Sequence, residues 1–304
     1  MLKLVTFILK KDWNFMKFLK TLIVSVFLLS CLMSIQISAG DLSSKLSEKG
    51  SQFVSNLIGG NGLTEVSVDV REGNEPDYSI LLTREIIKTE EGNFFTQFSL
   101  FNTEHNDDER IIANLGIGSR KLFDDNTMMA GYNAFIDLDT EAGHQRGSVG
   151  GELRNAVLDL RANYYKGLHN GFSTEKVLDG WEYYLASQVP YLHWADIFMS
   201  SYKWDGIDRD DIEGTKLGTE LLISPSINFE LAFDDKDKEG LEDEWYAKLM
   251  FVHPPQEGPT ALDGISQVAW KENKDMSGEL LSKVKRQNKI MIEFKGLSTI
   301  SRTD

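Results

Sequence analysis

Across residues 63–252 the sequence alternates apolar residues with small or polar ones, and this pattern limits the fold more than any other feature. In the clearest segment, Leu158, Leu160 and Ala162 alternate with Asp159 and Arg161. A period of two indicates a β-strand, because successive side chains leave opposite faces. We predict an all-β chain with twelve strands, at residues 63–71, 78–88, 93–102, 110–121, 127–137, 145–154, 157–167, 178–188, 195–204, 215–223, 227–234 and 244–252.

The connections between the predicted strands also follow a pattern, since short ones alternate with long ones that are acidic and rich in glycine. The short ones include residues 90–92, 155–156 and 224–226, and the long ones include residues 168–177, 205–214 and 235–243. This arrangement is typical of outer-membrane barrels, whose strands of about ten residues cross the hydrocarbon layer. We therefore predict a twelve-stranded antiparallel transmembrane outer-membrane β-barrel, in which every backbone polar group finds a partner.

A soluble β-sandwich is the alternative fold, because it would show alternating strands as well. The alternation of connection lengths and the even number of strands favour the membrane barrel. Aromatic residues near the ends of the predicted strands also fit the aromatic girdles of such a barrel. These residues are Tyr164, Tyr183, Tyr184, Trp204 and Trp245.

The N-terminal residues differ in composition from the rest of the chain. Lys17 and Lys20 precede an apolar run at residues 22–32, and residues 38–40 are small. A basic start, a short apolar run and a small-residue cleavage site are typical of a secretory signal peptide. We predict that residues 1–40 form this signal peptide and are removed on export.

The start and the processing of this leader have alternatives. Met16 opens a leader of ordinary length and competes with Met1 as the true start. A membrane anchor would need a longer apolar run. Residues 28–31 also resemble a lipoprotein cleavage box, although the apolar run continues beyond Cys31. Cys31 is the only cysteine of the chain, which excludes an intramolecular disulfide.

These patterns divide the chain into four parts. The signal peptide is followed by a periplasmic lead-in at residues 41–62 and by the barrel at residues 63–253. Residues 254–304, which begin with two prolines, are predicted to form a periplasmic or pore linker and a short tail. Within this last part, the stretch KVKRQNKIMIEFK at residues 283–295 is first basic and then apolar.

Composition and motifs argue against nucleic-acid binding, catalysis and cofactors. The formal net charge of −15 does not fit the basic face that nucleic acid requires. Gly116 and Gly118 look like the start of a dinucleotide loop, but they lie in a predicted strand with no helix after it. The histidines lack metal-ligand spacing, and the acidic clusters lack a calcium-loop pattern. No nucleophile motif stands out, so we predict no enzyme, no cofactor and no metal site.

Three stretches of the sequence resemble one known family. They are FFTQFSLFNTEHNDDERIIANLGIGSRKLFDDN, MMAGYNAFIDLD and HQRGSVGGELRNAVLDLRANYYKGL. The sequence resembles, over about residues 60–295, the translocator barrel of inverse autotransporters, the intimin/invasin family. The stretch KVKRQNKIMIEFK resembles the family's segment just beyond the barrel, which carries a basic residue, an asparagine and an isoleucine-rich strand.

The resemblance implies a barrel whose N-terminus is periplasmic and whose following chain passes back through the pore with an adhesin passenger. Residues 283–295 would then be the pore linker, with Lys283, Lys285, Arg286 and Asn288 as its polar residues. Insertion would depend on the barrel-assembly machinery and periplasmic chaperones. The expected surroundings are outer-membrane lipid in a Gram-negative-type cell envelope.

Two arguments, the alternation of residues and the family resemblance, predict which residues face the lumen. The alternation places Asp159, Arg161, Asn163, Glu220 and Glu230 inside the barrel. Under the resemblance, small residues at Gly116, Gly118, Gly131 and Gly150 would leave room for the linker. The acidic Asp159, Glu220 and Glu230 would pair with Lys283, Lys285 and Arg286.

The sequence departs from the family in two respects. Residues 296–304 are all that follow the linker, so no passenger is expected, and the lead-in is short for a peptidoglycan-binding module. We expect a non-catalytic translocator barrel that threads or displays its own C-terminal tail. Two alternatives remain, a small outer-membrane channel and a surface adhesion or interaction protein that binds an unknown ligand through its acidic loops.

Overall fold

Twelve antiparallel strands close into one barrel in the computed structural model, which describes residues 60–71, 76–105, 108–172, 174–237, 243–272 and 274–294. The predicted signal peptide and most of the lead-in lie outside these residues, as do residues 295–304. The barrel strands are β1 (Gly62–Arg71), β2 (Asp77–Lys88), β3 (Gly92–His105), β4 (Asp108–Phe123), β5 (Met128–Asp139), β6 (Gln145–Asn155), β7 (Leu158–His169), β9 (Asp179–Val189), β10 (Leu192–Asp205), β11 (Ile212–Ser224), β12 (Ile227–Lys236) and β13 (Glu244–His253).

Each barrel strand pairs with the next barrel strand along the chain, and β1 also pairs with β13, which closes the ring. The predicted fold class and the twelve barrel strands are confirmed. Two further strands, β8 (Glu175–Val177) and β14 (Ile292–Phe294), form a separate small sheet. Each has only three residues, which is too short for a periodic signal, and the sequence therefore did not predict this sheet.

Five short turns lie at one end of the barrel, which we call the short-turn end; the opposite end, which carries most of the longer connections, is the long-loop end. The short turns are residues 89–91, 124–127, 156–157, 190–191 and 225–226. The loop between β7 and β9 at the long-loop end includes β8.

The faces of the strands follow the predicted alternation, with apolar residues outside and polar residues inside. On β4, Leu115 and Ile117 are exposed on the outer face, while Asn114 and Arg120 are buried in the lumen. This distribution inverts that of a soluble protein and matches a barrel surrounded by lipid. Within the described residues, no helix has the length and apolar character needed to cross a membrane.

The predicted aromatic girdle is partly wrong. Tyr164, Tyr183 and Trp245 are exposed on the outer face, but Tyr184 and Trp204 are buried in the lumen. Tyr183 and Tyr184 are adjacent in one strand and therefore cannot both face lipid.

Five lumen-facing aromatic residues lie against glycines on the neighbouring strand. Each glycine and its aromatic residue are direct cross-strand partners, and a Cβ atom on the glycine would lie 2.3 to 2.6 Å from the ring or its hydroxyl. The pairs are Gly116–Phe135, Gly118–Phe95, Gly180–Trp204, Gly214–Tyr202 and Gly218–Phe198. The missing side chain makes space for a ring to lie flat on the wall, a known device for packing strand glycines.

After β13 the chain follows the short-turn end and then enters the barrel. Gln256 N donates to Pro225 O at 2.6 Å, Tyr191 N to Ala269 O at 2.8 Å, and Met276 N to Asn126 O at 2.8 Å. These bonds tie the chain in turn to three of the short turns. Two short 3-10 helices, Ala261–Asp263 and Met276–Glu279, lie along this path.

The glycine–aromatic packing predicts a position-specific effect of added side chains. Gly116→Ala would put a Cβ atom 2.3 Å from the Phe135 ring, whereas Gly151→Ala would meet its nearest atom at 3.8 Å. We expect Gly116→Ala to lower the free energy of unfolding by about 1–3 kcal/mol, the usual cost of overpacking. Urea unfolding of the folded barrel in detergent measures this. An equal loss in Gly151→Ala would contradict the explanation.

Candidate functional site

Residues 280–294, which we call the pore segment, lie inside the barrel. Four basic side chains of the segment each meet a carboxylate on the lumen wall. The nitrogen–oxygen distances are 2.8 Å for Lys283–Glu65, 2.5 Å for Lys285–Glu220, 2.7 Å for Arg286–Asp137 and 2.6 Å for Lys289–Asp77. The four carboxylates belong to β1, β11, β5 and β2, so the segment is attached to several parts of the wall.

The backbone of the pore segment is also bound, and almost all of these bonds come from wall side chains. Most of the carbonyls from residue 280 to residue 289 accept at least one. The bonds run from Asn93 and Arg120 to Leu280 O, Arg120 to Ser282 O, Arg161 to Lys283 O, Asn163 to Lys285 O, Arg146 to Gln287 O and Lys289 O, and Asn114 to Asn288 O. An extended chain with no strand partner needs such bonds, because buried carbonyls are costly when unpaired.

Two amide groups of the segment complete this set of backbone bonds. Val284 N donates to Gln97 Oε1 at 2.7 Å, and Gln287 N donates to the Tyr165 hydroxyl at 2.7 Å. The wall donors and acceptors come from β3, β4, β6, β7 and β9, since Glu182 also accepts from Gln287 N at 3.1 Å. One side of the lumen therefore binds the backbone of the segment, while carboxylates around the wall bind its basic side chains.

Asp137 is the centre of the buried charge network. Its carboxylate accepts from Arg146 Nε at 2.8 Å, from Arg286 Nη2 at 2.7 Å and from Asn114 Nδ2 at 2.7 Å. The guanidinium of Arg286 also lies 4.4 Å from the centroid of the Phe135 ring. A buried carboxylate without its partners would be strongly destabilising, so the wall and the segment depend on each other here.

At the long-loop end the segment becomes strand β14 and pairs with β8. Ile292 lies opposite Val177, and an apolar cluster closes around the pair. Its members are Phe101, Ile112, Val177, Ile290, Ile292 and Phe294. The cluster fills the exit of the lumen with apolar side chains.

The loop that carries β8 is fixed by buried charges. Glu175 receives two hydrogen bonds from Arg110, at 2.7 and 2.9 Å, and one contact from His144 at 2.5 Å. Burial by itself would raise the pKa of Glu175, but the bonds from Arg110 and His144 outweigh it and lower that pKa. The carboxylate therefore stays ionised and holds β8 in position for β14.

Beside the pore segment the lumen keeps a cavity of about 190 Å³. It lies against the part of the wall formed by β1–β3 and β9–β13, and its lining includes Asp69, Glu230 and Lys248. Within the described part of the chain, no group of three or more histidine, cysteine or acidic residues is arranged to hold a metal ion.

Each predicted lumen glycine lies against a side chain of the barrel wall, although the pore segment was expected there. A Cβ atom at Gly131 would lie 2.7 Å from Glu152 Oε1, and one at Gly150 would lie 2.2 Å from Asn163 Oδ1. Gly116 and Gly118 face Phe135 and Phe95. The space left by each glycine is thus taken by a side chain of the wall rather than by the pore segment.

Of the three acidic residues expected to bind the segment, Glu220 meets Lys285. Asp159 instead binds Arg161, at 2.7 Å, and Glu230 accepts from the Tyr246 hydroxyl at 2.7 Å. Asn288, the remaining predicted residue of the segment, accepts from Arg286 Nη1 through its own Oδ1 at 3.2 Å.

Sequence reasoning missed the wall carboxylates Glu65, Asp77 and Asp137 as partners of the segment. The alternation carried a signal for two of them, since Glu65 and Asp137 stand on the polar face of their strands. The alternation shows which face a residue is on, but it does not show how far along the pore the residue lies.

Comparison with known proteins adds to this geometry. The family model described as "Inverse autotransporter, beta-domain" matches residues 34–288. The chain belongs to the inverse autotransporter family. The family resemblance and the outer-membrane location predicted from the sequence are therefore confirmed, and the barrel is surrounded by outer-membrane lipid.

Individual relatives agree with the family assignment. The putative attaching and effacing protein homolog of Escherichia coli strain K12 is 34% identical over 118 residues, which are 38% of this chain and 38% of that protein. The chain thus matches well under half of this relative's length. A solved structure reported as "Unveiling the Mechanism Behind the in-meso Crystallization of Membrane Proteins" has a TM-score of 0.61 at 18% identity. It covers 77% of this chain and 100% of its own, and at this identity it supports the fold alone.

The pair Lys285–Glu220 predicts a measurable coupling between the segment and the wall of this inverse autotransporter barrel. We expect Lys285→Met and Glu220→Gln each to destabilise the barrel, and the double variant to lose less than their sum, with a coupling of about 1–3 kcal/mol. Urea unfolding of the four proteins of the cycle gives this value.

The exposed pair Lys121–Glu91, 2.7 Å apart, is the matched control. Ion pairs in water contribute little, so the same cycle there should show no measurable coupling. Strict additivity for Lys285 and Glu220 would show that the segment does not bind the wall through this pair.

Proposed function

We propose that this protein is a non-catalytic translocator barrel that threads its own C-terminal chain through the lumen and presents it at the cell surface. The course of the pore segment is the observation that carries the proposal. Leu280 is bound by Asn93 and Arg120 near the short-turn end, and Ile292 pairs with Val177 at the long-loop end. Short turns face the periplasm in such barrels, so this course leads outward.

The way in which the wall binds the segment supports the same proposal. Arg120, Arg146 and Arg161 donate to backbone carbonyls of the segment. Backbone groups are the same in every sequence, so such a wall can hold different extended chains in turn. The basic side chains then fix the position of the pore segment, because each of their carboxylate partners lies at a particular position along the pore.

The proposal includes the parts of the chain that precede the barrel. A signal peptide at residues 1–40 would direct export, and a lead-in at residues 41–62 would remain in the periplasm. The barrel of residues 63–253 would be inserted by the barrel-assembly machinery with the help of periplasmic chaperones. Residues 254–304 would supply the periplasmic linker, the pore segment and the displayed tail.

A peptide tag placed after Asp304 tests the direction of the chain. We expect antibody and external protease to reach this tag on intact cells, because the pore segment leads to the long-loop end. A tag inserted at Asp237, in the loop after β12, serves as the surface control, and a tag between Pro225 and Ser226 serves as the periplasmic control. Detection of the Asp304 tag only after the outer membrane is broken would refute the proposal.

A small channel is the second candidate, and the cavity of about 190 Å³ beside the segment favours it. We expect the native barrel to conduct weakly in planar bilayers, because the apolar cluster of Ile290, Ile292 and Phe294 fills the exit. Changing Lys283, Lys285, Arg286 and Lys289 to Glu would place like charges together and should raise the conductance several-fold. A steady native conductance equal to that of this variant would make the channel the better assignment.

A further inference from the structure

Four large apolar side chains stand exposed on the chain that follows β13, at the short-turn end of the barrel. The exposed fractions are 85% for Leu262, 78% for Ile265, 57% for Val268 and 50% for Trp270. We call residues 258–270 the strap. So many exposed apolar side chains within nine residues indicate a surface that is covered in the working protein.

The strap is almost free of charge. The whole chain is 26% charged, but Asp263 is the only charged residue of the strap. Its carboxylate accepts from Thr260 N at 2.7 Å and from Thr260 Oγ1 at 2.9 Å. A stretch of this composition does not suit contact with water alone.

Part of the backbone of the strap is also bound by hydrogen bonds within the protein. Ser266 N donates to Tyr191 O at 2.8 Å, and Gly264 O and Val268 O accept from Trp194 Nε1 and His193 Nε2 at 2.8 and 3.0 Å. Backbone groups must be paired before a segment can leave water for the edge of a hydrocarbon layer. The strap meets this condition at several positions.

The strap is continuous with the lipid-facing surface of the barrel. Its 3-10 helix packs against β11, and Trp194, which binds it, lies at the start of β10. Further along the same two strands, Ile197, Met199 and Leu217 are exposed on the outer face, where they meet lipid.

We propose that the strap is an interfacial anchor, which inserts Leu262, Ile265, Val268 and Trp270 into the phospholipid leaflet at the periplasmic end of the barrel. Segments with one apolar face lie in the membrane interface in this way, and tryptophan is enriched at that depth. The anchor fixes the chain between β13 and the pore segment, so that the chain enters the lumen from a constant position. This inference does not depend on what the pore segment does.

Spin labels on single cysteines test the anchor in the mature chain, which carries no cysteine of its own once the leader with Cys31 is removed. The label is placed at Ile265→Cys in the strap, at Ile197→Cys on the lipid-facing wall and at Glu90→Cys in an exposed turn at the same end. The barrel is reconstituted in phospholipid vesicles, and the collision rates with oxygen and with a water-soluble nickel complex are measured. We expect the ratio of oxygen to nickel collisions at 265 to exceed that at 90 several-fold and to approach that at 197.

A ratio at 265 equal to that at 90 would overturn the proposal, because it would leave the strap in water and point to a protein partner instead. A second variant keeps the test independent of the label site. Leu262→Asn with Ile265→Asn changes only exposed side chains and should leave unfolding in detergent unchanged. In vesicles it should expose a label at Val268→Cys to the nickel complex, and an unchanged collision rate there would also overturn the anchor.

Discussion

Backbone hydrogen bonding inside a hydrocarbon layer is the constraint on which the rest of this structure depends. Lipid offers no partners for N–H and C=O groups, so the strands must pair with each other all the way round. The pairing of β1 with β13 meets this requirement. Once the ring is closed, alternate side chains face lipid and lumen. The outer face then becomes apolar, and the inner face is left to hold the polar residues.

The polar interior creates a second requirement, because buried charges need partners. Asp137 sits between the guanidinium groups of Arg146 and Arg286, one from the wall and one from the pore segment. Without the segment, Glu65, Asp77 and Glu220 would each lose an ammonium group. The lumen is therefore built as the complement of an extended basic chain, as the translocator role proposed above requires.

Glycines on the wall connect the barrel to this charge network. Gly116 lets the Phe135 ring lie flat, and Arg286 of the segment lies over that ring. Gly118 makes space for the Phe95 ring in the same way, and Arg120 lies over that ring. Each glycine thus shapes a flat aromatic surface that supports a guanidinium group, which gains from the contact with the ring. These glycines therefore influence the pore segment indirectly, through the aromatic side chains of the barrel wall.

The sequence by itself determined the twelve barrel strands and the face of most of their residues, because a period of two is a local property that any antiparallel barrel preserves. It also determined that residues 283–295 carry the positive charge and that Asp159, Glu220 and Glu230 stand on the polar face. Only the tertiary structure decided which carboxylates meet the segment. That choice depends on the height of each residue along the pore, which the register of all twelve strands sets together. Asp137 and Glu65 therefore bind the segment, while Asp159 is taken by Arg161 two residues away.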